Sequence, residues 1–263
     1  MKYETIIYEK ERDGIAVLTY NRPEVLNAAD WRMGPEENAA LAEAEADDEV
    51  RMLIVTGAGR GFHAGDDVKA MFLAGDYEEH RRQARLQWLK GPSRPIPRFV
   101  KPTIAAVNGP AVGAGLDRAT LCDIRIGSPN AKFGYFYVRR GIMPGSLAAT
   151  LLLVEIVGLS RALEMMFSGE LIDAEEAERI GLISRIVPQE QLMDKARELA
   201  RKLMKGAPLP QIAIKRFVYR YIMDRTFHQD MTASITDLLR RSEDHMEGSR
   251  AFAEKRDPVW RMR

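Results

Sequence analysis

Two glycine-rich turns, each between a predicted strand and a predicted helix, constrain the fold of this chain most strongly. The first runs from Gly57 to Asp67 (GAGRGFHAGDD) at the end of the apolar segment MLIVTG, and the second from Asn108 to Gly115 (NGPAVGAG) at the end of TIAAVNG. Glycine permits backbone conformations that turn N–H groups toward a ligand, and a following helix N-terminus adds positive partial charge. Each turn is therefore a candidate anion site. The alternative is that small residues only allow a helix to pack tightly on its strand.

The first turn does not have the usual form of a dinucleotide-binding loop. Gly57-Ala58-Gly59 follows a strand, but Phe62 stands where the third glycine of that motif belongs. Dinucleotide binding is therefore only a minor alternative.

The rest of the pattern predicts an α/β core followed by a mainly helical C-terminal region. TIIYE and IAVLTY, separated by a polar segment at Asp13-Gly14, predict an opening hairpin, and MLIVTG, TIAAVNG and CDIRIGS predict further strands. Predicted helices cover residues 36–48, 78–89 and 115–121. We expect Gly34-Pro35 to make the start of the first helix irregular, and Asp67 to cap a short helix through Phe72. From about Ser146 helix predominates, broken by LISRIV at 182–187, and amphipathic helices continue to Glu254.

The composition excludes several classes of protein. With 46% hydrophobic and 29% charged residues, the chain can form a large core, and its net charge of +1 gives no global basic field for nucleic acid. The one notable basic cluster runs from His80 to Lys101. We interpret it first as a solvated helix face, second as a contact for a phosphate, and third as an RNA-binding surface.

Cysteine content and hydropathy point to a cytoplasmic protein. The single cysteine, Cys122, excludes an internal disulfide framework and a Cys-rich zinc site. The segment MKYETIIYEKERDG has no apolar signal region, and no uncharged apolar run approaches the ~18 residues of a membrane span. We expect neither secretion nor a membrane partner.

Both turns resemble the signatures of the crotonase (enoyl-CoA hydratase/isomerase) family. GRGFHAGDDVKAM resembles the first signature, usually G-x-F-[CAS]-A-G-A-D-[LIV]-K-x-M, and VNGPAVGAGLDRATLCDIRIGSPNAKFG resembles the second. Further matches follow in family order and make the resemblance nearly end to end: NRPEVLNA, KPTIAAVNG, PGS, GELIDAEEAERIGLISRIV and AFAEKRDPVW.

This resemblance implies the fold, the assembly and the substrate. The fold is expected to be α/β, a crotonase (ClpP-like) spiral of ββα units over residues 1–190, with a helical trimerisation region over 191–263. The protein would form a homotrimer or a dimer of trimers. Its substrate would be an acyl-CoA thioester, with coenzyme A entering as part of the substrate and with no metal or other cofactor.

The resemblance also implies an oxyanion hole. The backbone N–H groups of Asp66 and Ala114, where the family usually has Ala and Gly, would stabilise charge on the thioester oxygen. We expect the Asp66 carboxylate to point away from that hole. The residues implied to contact coenzyme A are Val25, Leu26, Ala64, Gly65, Asp66, Asp67, Val68, Gly113, Ala114, Phe252 and Lys255.

The acid/base positions depart from the hydratase pattern. A typical hydratase has a glutamate at each of two positions, where this chain has Asp117 and Tyr137. Since a phenol with a pKa near ~10 is no ground-state base at neutral pH, we predict Asp117 as the main proton-transfer or water-orienting group. The alternatives are a capping or surface aspartate at Asp117 and a ring at Tyr137 that only lines the acyl pocket. His63 replaces a small residue of the signature; it either approaches the substrate or is simply packed and hydrogen-bonded.

The sequence thus predicts an enoyl-CoA hydratase (a lyase) or isomerase, of the kind used in fatty acid metabolism. One alternative keeps the fold and hydrolyses a cyclic or aromatic-derived acyl-CoA, because one carboxylate plus a tyrosine suits hydrolysis. Another is a catalytically weak CoA- or RNA-binding homologue, suggested by the missing glutamate pair.

Overall fold

The computed structural model describes residues 3–73, 99–224, 243–256 and 259. The predicted helix at 78–89 and most of the basic cluster from His80 to Arg98 lie outside these ranges. The strands are β1 (Ile6–Lys10), β2 (Ile15–Tyr20), β3 (Met52–Gly57), β4 (Thr103–Val107), β5 (Pro110–Val112), β6 (Ile124–Gly127), β7 (Lys132–Gly134) and β8 (Ile172–Asp173).

Eight α-helices lie within the described ranges. They are α1 (Met33–Ala46), α2 (Ala114–Leu121), α3 (Leu147–Val157), α4 (Leu159–Ser168), α5 (Ala174–Arg179), α6 (Leu192–Leu203), α7 (Pro208–Asp224) and α8 (Glu243–Glu254). Short 3-10 helices cover Pro23–Val25, Val138–Arg140 and Gln189–Gln191, and a π-helix covers Lys69–Leu73. The predicted order of an α/β core followed by helices is confirmed.

The main sheet has the strand order β1-β2-β3-β4-β6. β1 pairs antiparallel with β2, which confirms the predicted hairpin, and the remaining pairs are parallel. β4 is buried along its whole length, as expected for a parallel strand covered on both faces. Because parallel strands end at the same edge, the two glycine-rich turns that follow β3 and β4 leave the sheet side by side.

Alternate residues of each central strand face two different cores. Leu53 and Val55 of β3 belong to the larger cluster, which also holds residues of α1, α2, α3 and α4. Met52 and Ile54 belong to the smaller one, which α6 covers with Leu192, Ala196 and Ala200. This period of two follows from strand geometry and gives a sheet with helices on both faces.

A second, three-stranded sheet has the order β5-β7-β8 and holds the two turns together. The N–H groups of Phe62 and His63 in the first turn both donate to the Pro110 carbonyl of β5, at 3.1 and 3.0 Å. The N–H of Val112 returns a bond of 3.0 Å to the His63 carbonyl. The first turn is therefore fixed to the strand that leads directly into the second.

Several local predictions need correction. α1 begins at Met33 and runs through Gly34-Pro35 without an irregular start, since proline is tolerated in the first turn of a helix. Asp67 does accept a hydrogen bond from the Ala70 N–H, at 3.1 Å, but the helix it caps is a π-helix. The predicted interruption of the helices at 182–187 is confirmed, and this segment forms an isolated β-bridge between Ile186 and Gly127. No helix within the described ranges is both long enough and apolar enough to cross a membrane.

Candidate active site

Two backbone amides of the glycine-rich turns are free to bind a ligand. Ala114 is the first residue of α2, so its N–H has no partner inside the helix. Ala29 bonds to the residues on either side of Asp66: its N–H donates to the Gly65 carbonyl at 2.8 Å, and its carbonyl accepts from the Asp67 N–H at 2.8 Å. Neither the Asp66 nor the Ala114 amide donates to any atom in the part of the chain that the structure describes.

These amides lie near each other. A Cβ atom on Gly65, the residue before Asp66, would lie 3.7 Å from the Ala114 nitrogen. Gly65 has a φ of +92°, in the region that favours glycine, so the turn depends on this residue type. Gly115 is required for space instead, since a Cβ there would lie 1.8 Å from the His63 carbonyl oxygen. The glycines therefore serve close packing as well as leaving N–H groups free.

Asp117 and Tyr137 form a buried pair beside these amides. The Tyr137 hydroxyl donates to Oδ2 of Asp117 at 2.6 Å, and both residues are nearly inaccessible to solvent. The ring of Tyr137 lies against the second turn, because a Cβ on Gly113 would be 3.8 Å from its Cζ atom. Oδ1 of Asp117 is buried and has no hydrogen-bond partner among the described residues. The Tyr135 hydroxyl lies close enough to Asp117 to act on its pKa, in the lowering direction. It too has no hydrogen-bond partner among the described residues.

Burial controls the protonation of this pair. Removal from water raises the pKa of Asp117 to about 7, while the hydrogen bond from Tyr137 acts in the opposite direction. Burial, together with the adjacent Asp117 carboxylate, raises the pKa of Tyr137 well above its usual value. At neutral pH the phenol is therefore a donor, whereas the carboxyl group can both accept and release a proton.

Comparison of the whole chain with known proteins agrees with the resemblance of its two signature motifs to the crotonase family. Residues 10–263 match the family described as enoyl-CoA hydratase/isomerase. The chain is 36% identical to the short-chain-enoyl-CoA hydratase of Clostridium acetobutylicum, over 97% of each chain. It is 37% identical to the (E)-benzylidenesuccinyl-CoA hydratase of Thauera aromatica, over 94% of this chain and 95% of the relative. The crystal structure of carnitinyl-CoA hydratase from Mycobacterium avium superposes with a TM-score of 0.85 at 34% identity, covering 100% of both chains.

The chain belongs to the enoyl-CoA hydratase/isomerase family. Membership confirms the predicted crotonase fold. The roles assigned to individual residues stay predictions, and the geometry shows which of them lie together.

Seven of the residues that the family resemblance predicts to contact coenzyme A come from two segments that the fold joins, 25–26 and 64–68. The Ala64 N–H donates to the Leu26 carbonyl at 3.0 Å, and Ala29 bonds to Gly65 and Asp67 as described above. These bonds bring Val25 and Leu26 next to the turn containing Ala64, Gly65, Asp66, Asp67 and Val68. The Asp67 carboxylate is already engaged, because Arg22 donates to it at 3.1 Å.

Two asparagines that the sequence analysis missed hold the first turn in place. Nδ2 of Asn27 donates to the carbonyls of Ala58 and Gly61 at 2.9 and 2.8 Å. Nδ2 of Asn108 donates to the Gly57 carbonyl at 2.9 Å, and its Oδ1 accepts from the Gly57 N–H at 3.2 Å. Both lie within segments that matched the family, which was the available signal.

A buried ion pair beneath the turns was also missed. Nε of Arg118, the residue after Asp117, donates to Glu37 at 3.0 Å, and the Tyr20 hydroxyl donates to the other oxygen of Glu37 at 2.7 Å. Arg118 and Glu37 lie on different helices, 81 positions apart, so no local pattern could pair them. Both side chains are mostly buried, at 17% and 10% exposure, and their opposite charges balance each other.

The Asp66 carboxylate interacts electrostatically with the pair formed by Asp117 and Tyr137. Its negative charge contributes to raising the pKa of both Asp117 and Tyr137. This carboxylate is half-buried. That it points away from the oxyanion remains a prediction.

The two C-terminal residues predicted to contact coenzyme A lie on or just after α8. Phe252 is 53% exposed and Lys255 follows the helix with a φ of +55°. α8 packs against the segment after Tyr137, since Nδ1 of His245 lies 3.0 Å from the Arg140 carbonyl oxygen.

Within the described ranges no three metal-ligating side chains cluster together. The absence of a cofactor stays a prediction.

Proposed function

We propose that this protein hydrates the double bond of an α,β-unsaturated acyl-CoA thioester. One observation carries the proposal: the backbone amides of Asp66 and Ala114, which donate to no atom of the described residues, lie beside a buried carboxyl group whose pKa is about 7. The names of the relatives support the same substrate class. Two fixed N–H donors suit an oxygen that becomes negatively charged during the reaction.

In this mechanism Asp117 carries out both proton-transfer steps. Its carboxylate takes a proton from a water molecule while the water oxygen attacks the β-carbon, and the π electrons of the double bond move toward the thioester oxygen. The amides of Asp66 and Ala114 stabilise the resulting enolate. The enolate then takes the proton from Asp117 at the α-carbon, which restores the thioester and the carboxylate. A single group with a pKa close to neutrality is suited to both steps.

Tyr137 would hold Asp117 in place rather than transfer protons. Its hydroxyl donates to Oδ2 and leaves Oδ1, which is buried and has no partner among the described residues, as the acceptor. A fixed orientation matters because proton transfer requires hydrogen-bond distance to the reacting atom.

Double-bond isomerisation is a second candidate, favoured by the single carboxyl group. Moving a double bond from the 3,4 to the 2,3 position needs removal of one α-proton and its return at the γ-carbon. One base can do both, and no second group is required to orient water. The same amides would stabilise the dienolate.

Isotope labelling distinguishes these reactions. The wild-type protein is incubated with 2-enoyl-CoA and 3-enoyl-CoA esters of short and aromatic acyl groups, in D₂O and in H₂¹⁸O. Hydration places ¹⁸O at the β-carbon, isomerisation gives a shifted double bond with no ¹⁸O in the acyl chain, and hydrolysis releases the free thiol of coenzyme A. We expect hydration. If calorimetry detects no binding of these esters by the folded protein at millimolar concentration, the proposed function is wrong.

The pH dependence is expected to follow the ionisation of Asp117. As its carboxylate is the base, kcat should fall as the pH falls through about 7. Tyr137→Phe removes a bond that stabilises the charged form, so the pKa rises and the profile moves to higher pH. At pH 9 the variant should recover most of its activity. If the pH profile of kcat for Tyr137→Phe matched that of the wild type, the hydrogen bond from Tyr137 would not control the pKa of Asp117.

We also propose a trimer or a dimer of trimers, on the basis of the outer face of α7. Ile214 and Phe217 are 63% and 78% exposed in the single chain, and a subunit contact would remove this apolar surface from water. Phe217→Glu should therefore lower the mass measured by light scattering at micromolar protein. Gln191→Glu, which adds the same charge at an exposed position outside α7, should not. A monomeric wild-type mass would contradict the proposal.

A further inference from the structure

His63 lies between the two glycine-rich turns and has no contact with solvent. Its backbone bonds to β5, as described above, and its ring packs edge-on against Tyr20, with ring centroids 4.8 Å apart and an interplanar angle of 83°. Of the two sequence interpretations, the packed and hydrogen-bonded one is therefore confirmed. The usual form of the family signature has Cys, Ala or Ser at this position, so this bulky side chain departs from it.

Among the described residues the His63 ring makes one hydrogen bond, and its partner lies in the first turn. Nδ1 of His63 accepts from the Gly65 N–H at 3.0 Å. Since Nδ1 is the acceptor, the proton of the neutral ring is on Nε2, which has no hydrogen-bond partner among the described residues. Burial lowers the pKa of His63 well below its usual value, so the ring stays neutral and Nδ1 stays an acceptor.

The peptide units on both sides of Gly65 are fixed by different partners. His63 fixes the unit before it, through the Gly65 N–H. Ala29 fixes the unit after it, by donating to the Gly65 carbonyl at 2.8 Å. In a trans peptide the C=O and the next N–H point in opposite directions. Because the Gly65 carbonyl points toward the Ala29 N–H, the Asp66 N–H points away from Ala29. Gly65 itself has no side chain to limit its backbone rotation.

We propose that His63 is a positioning residue, which holds Gly65 so that the Asp66 N–H points at the thioester oxygen. This inference rests on the proposed function, because it assigns the Asp66 amide to the oxyanion. His63 touches neither substrate nor reacting atoms. It acts through the Gly65 amide, and its loss would free the rotation about Gly65.

Two substitutions separate the hydrogen bond from the packing. His63→Asn keeps an acceptor, since the asparagine Oδ1 can take the place of Nδ1, although the side chain is smaller. His63→Leu keeps the bulk and removes the acceptor. Thr56→Val serves as the matched control: it deletes another buried hydrogen bond, from Thr56 Oγ1 to the Ala106 carbonyl at 2.9 Å, on β3. Thermal unfolding confirms that each variant is folded.

The probe is a cinnamoyl-CoA whose absorbance moves to longer wavelength when its thioester carbonyl is polarised. Wild type, His63→Asn and Thr56→Val should all produce this shift, and His63→Leu should produce a much smaller one. Turnover of an enoyl-CoA by His63→Leu should fall roughly 10- to 100-fold in kcat, with KM changed far less, because a misplaced donor affects the transition state most. Amide hydrogen exchange at Gly65 should be faster in His63→Leu alone.

Three results would overturn the inference, and they differ from one another. A wild-type shift that His63→Leu retains in full would show that the hydrogen bond does not aim the donor. Equal losses in His63→Leu and His63→Asn would show that the ring matters only for packing. A wild-type protein that binds the probe without any shift would refute the proposed oxyanion hole itself, and with it the role of His63.

Discussion

Asp117→Asn is expected to lower kcat by roughly 10² to 10⁴, the usual contribution of a general acid or base. The amide cannot take a proton from water or return one to the α-carbon. It has nearly the same size as the carboxyl group, and its oxygen can still accept the Tyr137 hydrogen bond, so the site keeps its shape. Affinity for the CoA ester, measured by calorimetry, should change little. Tyr137→Phe should cost much less, because the phenol only holds the base.

We expect unfolding measurements to exclude loss of structure as the cause of this defect. The folded protein raises the pKa of Asp117 from 3.8 to about 7. An acid with a raised folded pKa binds more protons in the folded than in the unfolded state, so stability falls as the pH rises from about 4 to about 7. At pH 8 the carboxylate therefore destabilises the fold. Asp117→Asn should melt at the same temperature as the wild type or higher at that pH while remaining inactive.

Two outcomes would contradict this assignment. If Tyr137→Phe were inactive and Asp117→Asn nearly normal, the phenol would be the catalytic group, and hydrolysis with a tyrosine-oriented water would become the better interpretation. If both variants kept full activity on the true substrate, the chemistry would lie elsewhere, for example on the Asp66 carboxylate. If no ester were turned over by any variant, including the wild type, a CoA-binding protein without activity would fit better.

Local sequence patterns predicted most of the fold that places these groups. Short apolar segments bounded by glycine, such as Met52–Gly57, favour buried strands, and the glycines after them mark the turns. The pattern was less informative for FGYFYV, where the strand ends at Gly134 and Tyr137 lies beyond it, before a 3-10 helix. An aromatic run favours a strand, but here the tertiary contacts of Tyr137 with Asp117 and the second turn determine its position.

The site was predicted only where a family motif marked it. Asp117 and Tyr137 were identified by their positions in the motif, and their mutual hydrogen bond, across 20 positions, could not have been derived from spacing. The same holds for the bond between Glu37 and Arg118. The raised pKa of Asp117 depends on how completely the fold excludes water from it, which is a property of the packed structure and of no single segment.

The second large effect is expected for Ala114→Pro, which removes a backbone donor without removing any side-chain function. Proline is well tolerated at the first position of a helix, where Ala114 stands, because that N–H has no partner inside the helix. The preceding residue, Gly113, has no Cβ to collide with the proline ring. If this amide stabilises the enolate, kcat/KM should fall roughly 10²- to 10³-fold, as for loss of one oxyanion donor. The ring also fills the place of the hydrogen, so binding should weaken as well.

Ala114→Gly is the matched control for this prediction. It keeps the N–H and introduces the residue that the family usually has there, at a cost of roughly 1 kcal/mol in helix stability. The cinnamoyl-CoA probe should show a shift with Ala114→Gly and little or none with Ala114→Pro. If Ala114→Pro polarised the probe as the wild type does, the thioester oxygen would not lie at the start of α2. The free amide of Ala114 would then be only an ordinary uncapped helix terminus, and the Asp66 amide alone would have to carry the oxyanion.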